Sequence, residues 1–199
     1  MFHPSIVALC LIASSVCAQS WPDLEQARWS EAVVRKEKLH YVLAICDQIK
    51  RNQSRYEAVE KATTVPWRVV SSIHNMEGSL NFRTHLHNGD PLSGFTYHVP
   101  KGRLPKGHPV FSWEDSAIDA VKLDALPQEN WTTTPSTLLN IELYNGSGYL
   151  RFHPAVPSPY LWNWTTLQKP GKYIADGHWS STATSDQCGV VPLLLWIGG

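Results

Sequence analysis

The sequence predicts an α+β domain that is mainly α. Three observations lead there. Apolar residues recur three and four positions apart in several segments, and those segments carry helix caps and stop signals. Between residues 88 and 109, clustered Gly and Pro replace that period with turns and one short strand-like run. No internal repeat and no composition shift marks a second domain, so residues 19–199 are expected to form one unit.

The opening eighteen residues are set apart as an export signal. Ile6 to Ala13 is an apolar run too short to span a bilayer, and the small residues after it end in Val16, Cys17 and Ala18, an acceptable cleavage site. The mature chain is then expected in a periplasmic or extracellular setting, without stable membrane insertion and as a monomer. Its 17 basic and 17 acidic residues balance, and no basic patch or reader motif points to nucleic acid. Removing the leader leaves Cys46 and Cys188, which can bridge the first helical region to the last in an oxidising compartment, or remain two separate buried thiols.

Pro22 to Ile49 carries a helical pattern with Val33, Val34, Leu39, Val42, Leu43, Ile45 and Cys46 as its apolar positions. A break near Ser30 is expected, because one helix of that length is unusual in a small domain. Arg51 to Thr64 is polar and reads as a shorter helix or loop, solvated on most of its surface. Pro66 opens the next helix, with Thr63 or Thr64 as its cap and Trp67, Val70 and Ile73 facing the core. That helix gives out at Glu77, with Gly78 closing its last turn.

Beyond it, Asn88 to Pro91 forms a turn and Gly94 to Val99 a short strand, leading into a ragged hairpin or ordered loop. Ser112 caps a further helix through Trp113, Ala117, Ile118 and Val121. Another helix starts at Pro135 and stops at Asn145 and Gly146. The stretch from 147 to 164 is rich in aromatic residues and Pro, Lys169 to Ser181 is a connection with an extended piece at Tyr173 and Ile174, and Val190 to Ile197 packs as a closing helix.

Residues 67–96 hold the chemistry. A carboxylate at a helix end, Glu77, is followed by a polar loop with His85, His87, Asn88 and Asp90, and His74 lies three residues before it near the same face. This predicts a cleft in which Glu77 and Asp90 face each other. Nine Trp residues are many for this length, and their faces suit sugar rings. Trp131, Trp162, Tyr97 and Tyr160 are cleft candidates, since they fall in loops or at strand ends.

The order helix, Glu77, turn-rich segment with Asp90 and Thr96, then helices and Tyr144-Asn145-Gly146, resembles the lysozyme superfamily of peptidoglycan hydrolases. That group includes phage-type and goose-type lysozymes, lytic transglycosylases and chitosanases. The segment IHNMEGSLNFRTHLHNGDPL also resembles a branch of bacterial exported proteins distantly related to them. Gly-Ser follows Glu77 where transglycosylases carry Glu-Ser-Gly, and their Gly-Leu-Met-Gln pattern is missing downstream. The resemblance implies a lysozyme-like helical domain with a small β-hairpin or ordered-loop wall after the catalytic helix. It implies cleavage of the β-1,4 glycan backbone of peptidoglycan without a cofactor.

In that chemistry Glu77 is the general acid, its pKa raised by partial burial, and Asp90 a wetter carboxylate that orients water or stabilises positive charge on the sugar. Thr96 positions water or sugar, and Tyr144 and Asn145 meet the substrate across the cleft. Two other readings stay open. One is a non-catalytic glycan-binding or inhibitor protein of the same shape. The other is a zinc-dependent wall-peptide hydrolase, with His85, His87 and Asp90 joined by His98, His74 or His153, although neither HExxH nor paired Cys ligands support it.

Overall fold

A computed structural model describes residues 19–104 and 106–197; the expected export signal lies outside the described residues. The helices are α1 (Trp21–Glu31), α2 (Leu39–Arg51), α3 (Gln53–Thr63), α4 (Trp67–Gly78), α5 (Trp113–Leu123), α6 (Thr134–Asn145), α7 (Gly148–Phe152), α8 (Pro159–Trp162) and α9 (Val190–Ile197). Two short 3-10 turns, Lys36–Lys38 and Leu126–Gln128, and one antiparallel pair, β1 (Lys172–Ala175) with β2 (His178–Ser180), complete the regular structure of the described residues. The domain is mainly helical, as its periodicity predicts.

The N-terminal pattern splits into α1 and α2 because the backbone between them is used elsewhere. Val34 pairs with Thr165 as an isolated bridge, Arg35 N–H donates to the Trp164 carbonyl at 2.9 Å, and Thr166 N–H to that of Val33 at 2.8 Å. Residues 53–63 form the shorter helix expected, solvated on most of its surface, with a narrow core face on which Tyr56 and Val59 are fully buried. α3 packs on both α4 and α5.

α9 is central, lying against α2, α4 and α8. Val190, Val191 and Leu193 have no exposed surface, and they meet Val42 and Ile49 of α2 and Val70 and Ile73 of α4 in one apolar cluster. Cys46 and Cys188 lie in that cluster as free, buried thiols, not as a bridge. Burial pushes the Cys46 thiol up to about 11, and burial followed by the charge of Cys46 raises Cys188 further.

The strand expected at Gly94–Val99 is absent; the described residues between Leu80 and Ser112 hold turns and bends but no strand, and Thr84 pairs with Pro91 as an isolated bridge. Side chains replace a ladder there. Thr96 Oγ1 donates to the Pro100 carbonyl at 2.5 Å and accepts from Arg103 N–H at 2.9 Å, and Asn88 Nδ2 donates to the carbonyls of His98 and Val99. The two-stranded hairpin forms late in the chain, where Tyr173 pairs with Trp179. Tyr149, His153, Tyr173 and Trp179 assemble at its base, with His153 stacked on Trp179 at 3.6 Å between ring centroids. Gly171 is needed there, since it has φ +125° and a Cβ would lie 2.7 Å from the Trp179 ring.

Candidate functional site

α4 delivers Glu77. Its N-terminus begins one residue later than the sequence predicts: Pro66 precedes the helix and the Trp67 N–H is capped by Glu60 Oε2 at 3.0 Å. At its C-terminus the left-handed residues are Ser79 (φ +49°) and Leu80 (φ +56°), not Gly78. Gly78 has a different purpose, because a Cβ there would lie 3.1 Å from the ring of His74. The open carbonyls of Asn75 and Met76 accept from Gln187 Nε2 at 3.3 and 2.7 Å, which ties the segment before α9 to the end of α4. Glu77 therefore sits in the last turn of a helix whose end is fixed from outside.

The Glu77 side chain reaches solvent, and the Tyr160 hydroxyl donates to its Oε1 at 2.8 Å. Its pKa is raised, chiefly by burial; the Tyr160 bond opposes this and the charge of Asp124 adds to it. The negative end of the α4 dipole also disfavours a carboxylate at this position. Asp124 caps the C-terminus of α5 and is exposed, with its own pKa raised by partial burial. Tyr144, at the end of α6, is half-buried, and its pKa is raised by burial, then by the charges of Glu77 and Asp124. The ends of α4, α5, α6 and α8 thus bring Glu77, Asp124, Tyr144 and Tyr160 into one electrostatic group.

Beside this group lies a cavity of about 520 Å³. Met76 and Tyr160 form the wall nearest Glu77, Asn145 and Tyr149 continue it, and Tyr173 and Asp176 of the hairpin close the far side. Aromatic faces with a few polar groups at their edges are what an oligosaccharide requires.

The other expected site residues lie elsewhere. His74 is 1 % exposed; its Nδ1 meets the Tyr56 hydroxyl at 3.1 Å and its ring packs among Phe82 and Trp113. Burial lowers its pKa to about 4, so it is a neutral core residue without a surface for substrate. His85 is fully buried between Ser116 Oγ and the Gly94 carbonyl, and His87 Nε2 contacts Asp119 at 2.8 Å, where Arg103 also binds. Asn88 braces the same loop. Among the described residues no three His, Cys, Asp or Glu side chains converge on a position for a metal ion, so the zinc reading loses its ligand set.

Asp90 is 2 % exposed and serves its own loop. Its Oδ2 accepts from the N–H groups of Tyr97 and His98 at 2.8 and 2.9 Å, and its Oδ1 contacts His98 Nδ1 at 2.7 Å. Burial pushes this carboxyl up, but the His98 and Tyr97 hydrogen bonds outweigh it and hold the pKa at about 2. Asp90 and Thr96 are loop anchors here, which corrects the expectation of a carboxylate facing Glu77. Tyr97 is exposed on that loop, its ring 4.4 Å from that of His98. Trp162 is fully buried, its indole N–H on Glu25 Oε2 at 3.0 Å, and Trp131 lines a different cavity.

Of the expected residues, the structure brings together Glu77, Tyr144, Asn145 and Tyr160. It adds Asp124, which reads in sequence as an ordinary helix-end residue, and Tyr149 and Tyr173, whose clustering is visible in sequence only as an aromatic-rich tail. No protein-family profile, curated protein or solved structure matches the chain.

Proposed function

We propose that this chain cleaves a β-1,4-linked glycan, the backbone of peptidoglycan, with Glu77 as general acid. The observation that carries the reading is an open carboxyl in the last turn of a packed helix, its proton affinity raised, held at 2.8 Å by Tyr160, which lines an aromatic-walled cavity. A glycosidic oxygen is a poor leaving group until it is protonated, so the acid must keep its proton near neutral pH and still reach the substrate. Burial acts toward the first condition by raising the pKa of Glu77, and the exposure of its side chain meets the second.

Tyr160 holds one oxygen of Glu77, leaving the other free to meet the leaving oxygen. Asp124 takes the part that the sequence assigns to Asp90: an exposed carboxylate near the acid that stabilises positive charge on the sugar or draws a proton from attacking water. Tyr144 and Asn145 line the approach. The walls of the cavity stack on the rings of the chain being cut.

A second reading is favoured by the loss of Asp90 and Thr96 to the loop: glycan binding, or inhibition of a glycan-cleaving enzyme, without catalysis. One experiment separates the two. Purified peptidoglycan is incubated with the wild type and with Glu77→Gln, and soluble products are analysed by mass, with chitin and chitosan in parallel. Cleavage that vanishes in the variant supports the enzyme; binding that is equal in both proteins with no products supports the binder. The masses also distinguish a reducing end, left by a hydrolase, from an anhydro end, left by a lytic transglycosylase.

A further inference from the structure

A second cavity, of about 220 Å³, opens at the other end of the same helices. Arg68 at the start of α4 and Thr134 at the start of α6 line it, whereas Glu77 and Tyr144 end those helices. Nine residues of α4 separate Arg68 from Glu77, about 14 Å along the axis. The two cavities share no lining residue.

Two half-buried indoles, Trp29 of α1 and Trp131 of the loop before α6, form walls of this cavity. The Trp131 N–H is committed to the Leu126 carbonyl at 3.1 Å, which fixes its ring. Thr132, Thr133, Thr134 and Thr137 line the cavity as well. The hydroxyls of Thr132 and Thr133 are engaged with Asn130 and Ser136, and that of Thr137 reaches the Trp131 carbonyl only at 3.4 Å. Among the described residues none hydrogen-bonds the Thr134 hydroxyl. Among the described residues Arg68 is the one charged side chain that lines the space.

We propose that this cavity is a saccharide-binding site, separate from the one at Glu77, that takes one uncharged pyranose unit of a glycan chain. Indole faces match the apolar face of a pyranose, and Thr hydroxyls exchange hydrogen bonds with its equatorial hydroxyls. The volume is below the roughly 300 Å³ at which drug-sized ligand pockets begin, so it fits a single ring better than a long substrate. Among the described lining residues one guanidinium is the sole charged group, fewer positive charges than a polyanion requires. The proposal does not depend on cleavage at Glu77.

The test uses the mature chain with Glu77→Gln, so that no probe is consumed, titrated with triacetylchitotriose and with cellotriose. The indole N–H signals of Trp29 and Trp131, assigned by Trp→Phe substitutions, are followed by NMR. Saturable shifts of both signals with either sugar, and affinity at this site about tenfold weaker in Thr134→Val, are expected. Trp131→Ala abolishes the binding; if that variant fails to fold, Thr134→Val, which keeps the side-chain shape, decides alone. Indole signals that do not move up to about 10 mM of both sugars, or an affinity that Thr134→Val leaves unchanged, overturn the proposal. Cleavage of peptidoglycan is scored separately, so a failure at Glu77 and a failure of this site give different results.

Discussion

The Tyr160 hydroxyl donates to Glu77 Oε1 across 2.8 Å, joining a residue of α8 to one 83 positions earlier at the end of α4. A donor on a carboxylate favours its ionised form, while a neighbouring negative charge disfavours it. Tyr160 and Asp124 therefore act on Glu77 in opposite directions.

Opposite shifts in the pH–rate profile follow. If Glu77 acts while protonated, activity falls as pH rises through its pKa. Tyr160→Phe removes the opposing bond and moves that alkaline limb to higher pH, with kcat lowered about tenfold by loss of positioning. Asp124→Asn removes the neighbouring charge and moves the limb to lower pH. Profiles of initial rate on solubilised peptidoglycan check both; a common direction of shift in the two variants rules out the arrangement.

Asp90 tests the division between anchor and catalyst. Asp90→Ala leaves the Tyr97 and His98 N–H groups without their acceptor, so the melting temperature falls while kcat per folded molecule stays close to wild type. The contribution is fully present above the ordinary Asp pKa of 3.8 and disappears as pH falls through about 2, so the wild-type advantage narrows in strong acid. Loss of kcat with unchanged melting would return Asp90 to the catalytic group.

Glu142 is 1 % exposed; Ser158 Oγ donates to its Oε2, and burial, opposed by that bond, raises its pKa to about 8. The folded protein keeps this proton up to about pH 8, whereas the unfolded chain releases it above 4.5. Stability from this group is complete below 4.5 and is lost as pH rises to 8. His74 runs the other way, its contribution falling as pH drops from 6.5 to 4, so the window from 6.5 to 8 isolates Glu142. Urea denaturation at both ends of that window should show a loss in the wild type that is absent in Glu142→Gln; an equal loss in both places the titration elsewhere.

Gly189 sits where two backbone segments nearly touch. A Cβ there would lie 2.5 Å from the Leu161 carbonyl oxygen and 2.8 Å from the Asn163 nitrogen, and neither is the end of a flexible side chain. Gly189→Ala is expected to cost about 1–3 kcal/mol in chemical denaturation. A neutral result would mean that the 185–189 segment yields, and with it the Gln187 contacts that hold the end of α4.

Much of the fold was legible because helix signals are local. The cap at Ser112, whose Oγ accepts from Asp115 N–H at 3.0 Å, and the stop at Gly146 sit where the residue types place them. The α3 segment is mostly solvated, as its polar composition predicts; its narrow core face, Tyr56, Val59 and Thr63, is hard to read in sequence because it holds few apolar side chains among polar ones. The strand at 94–99 was misread because its alternation is real, but the chain there meets Asp90, Thr96 and Arg103 instead of a partner strand. Glu77 was legible as an open carboxylate at a helix end; Asp124, with the same local description, was not distinguishable from a surface cap.

The sequence by itself determined where most of the longer helices lie, that Glu77 ends one of them, and that an aromatic-rich tail follows, because caps, apolar spacing and turn residues act over one or two turns. Only the tertiary structure decided which residues join Glu77. Tyr160 hydrogen-bonds it from the start of α8, and the charges of Glu77, Tyr144 and Asp124 interact from the ends of α4, α6 and α5, while Asp90, closer in sequence, is drawn into its own loop by nearer donors. Long-range packing selects such neighbours, and no local pattern in the chain records that selection.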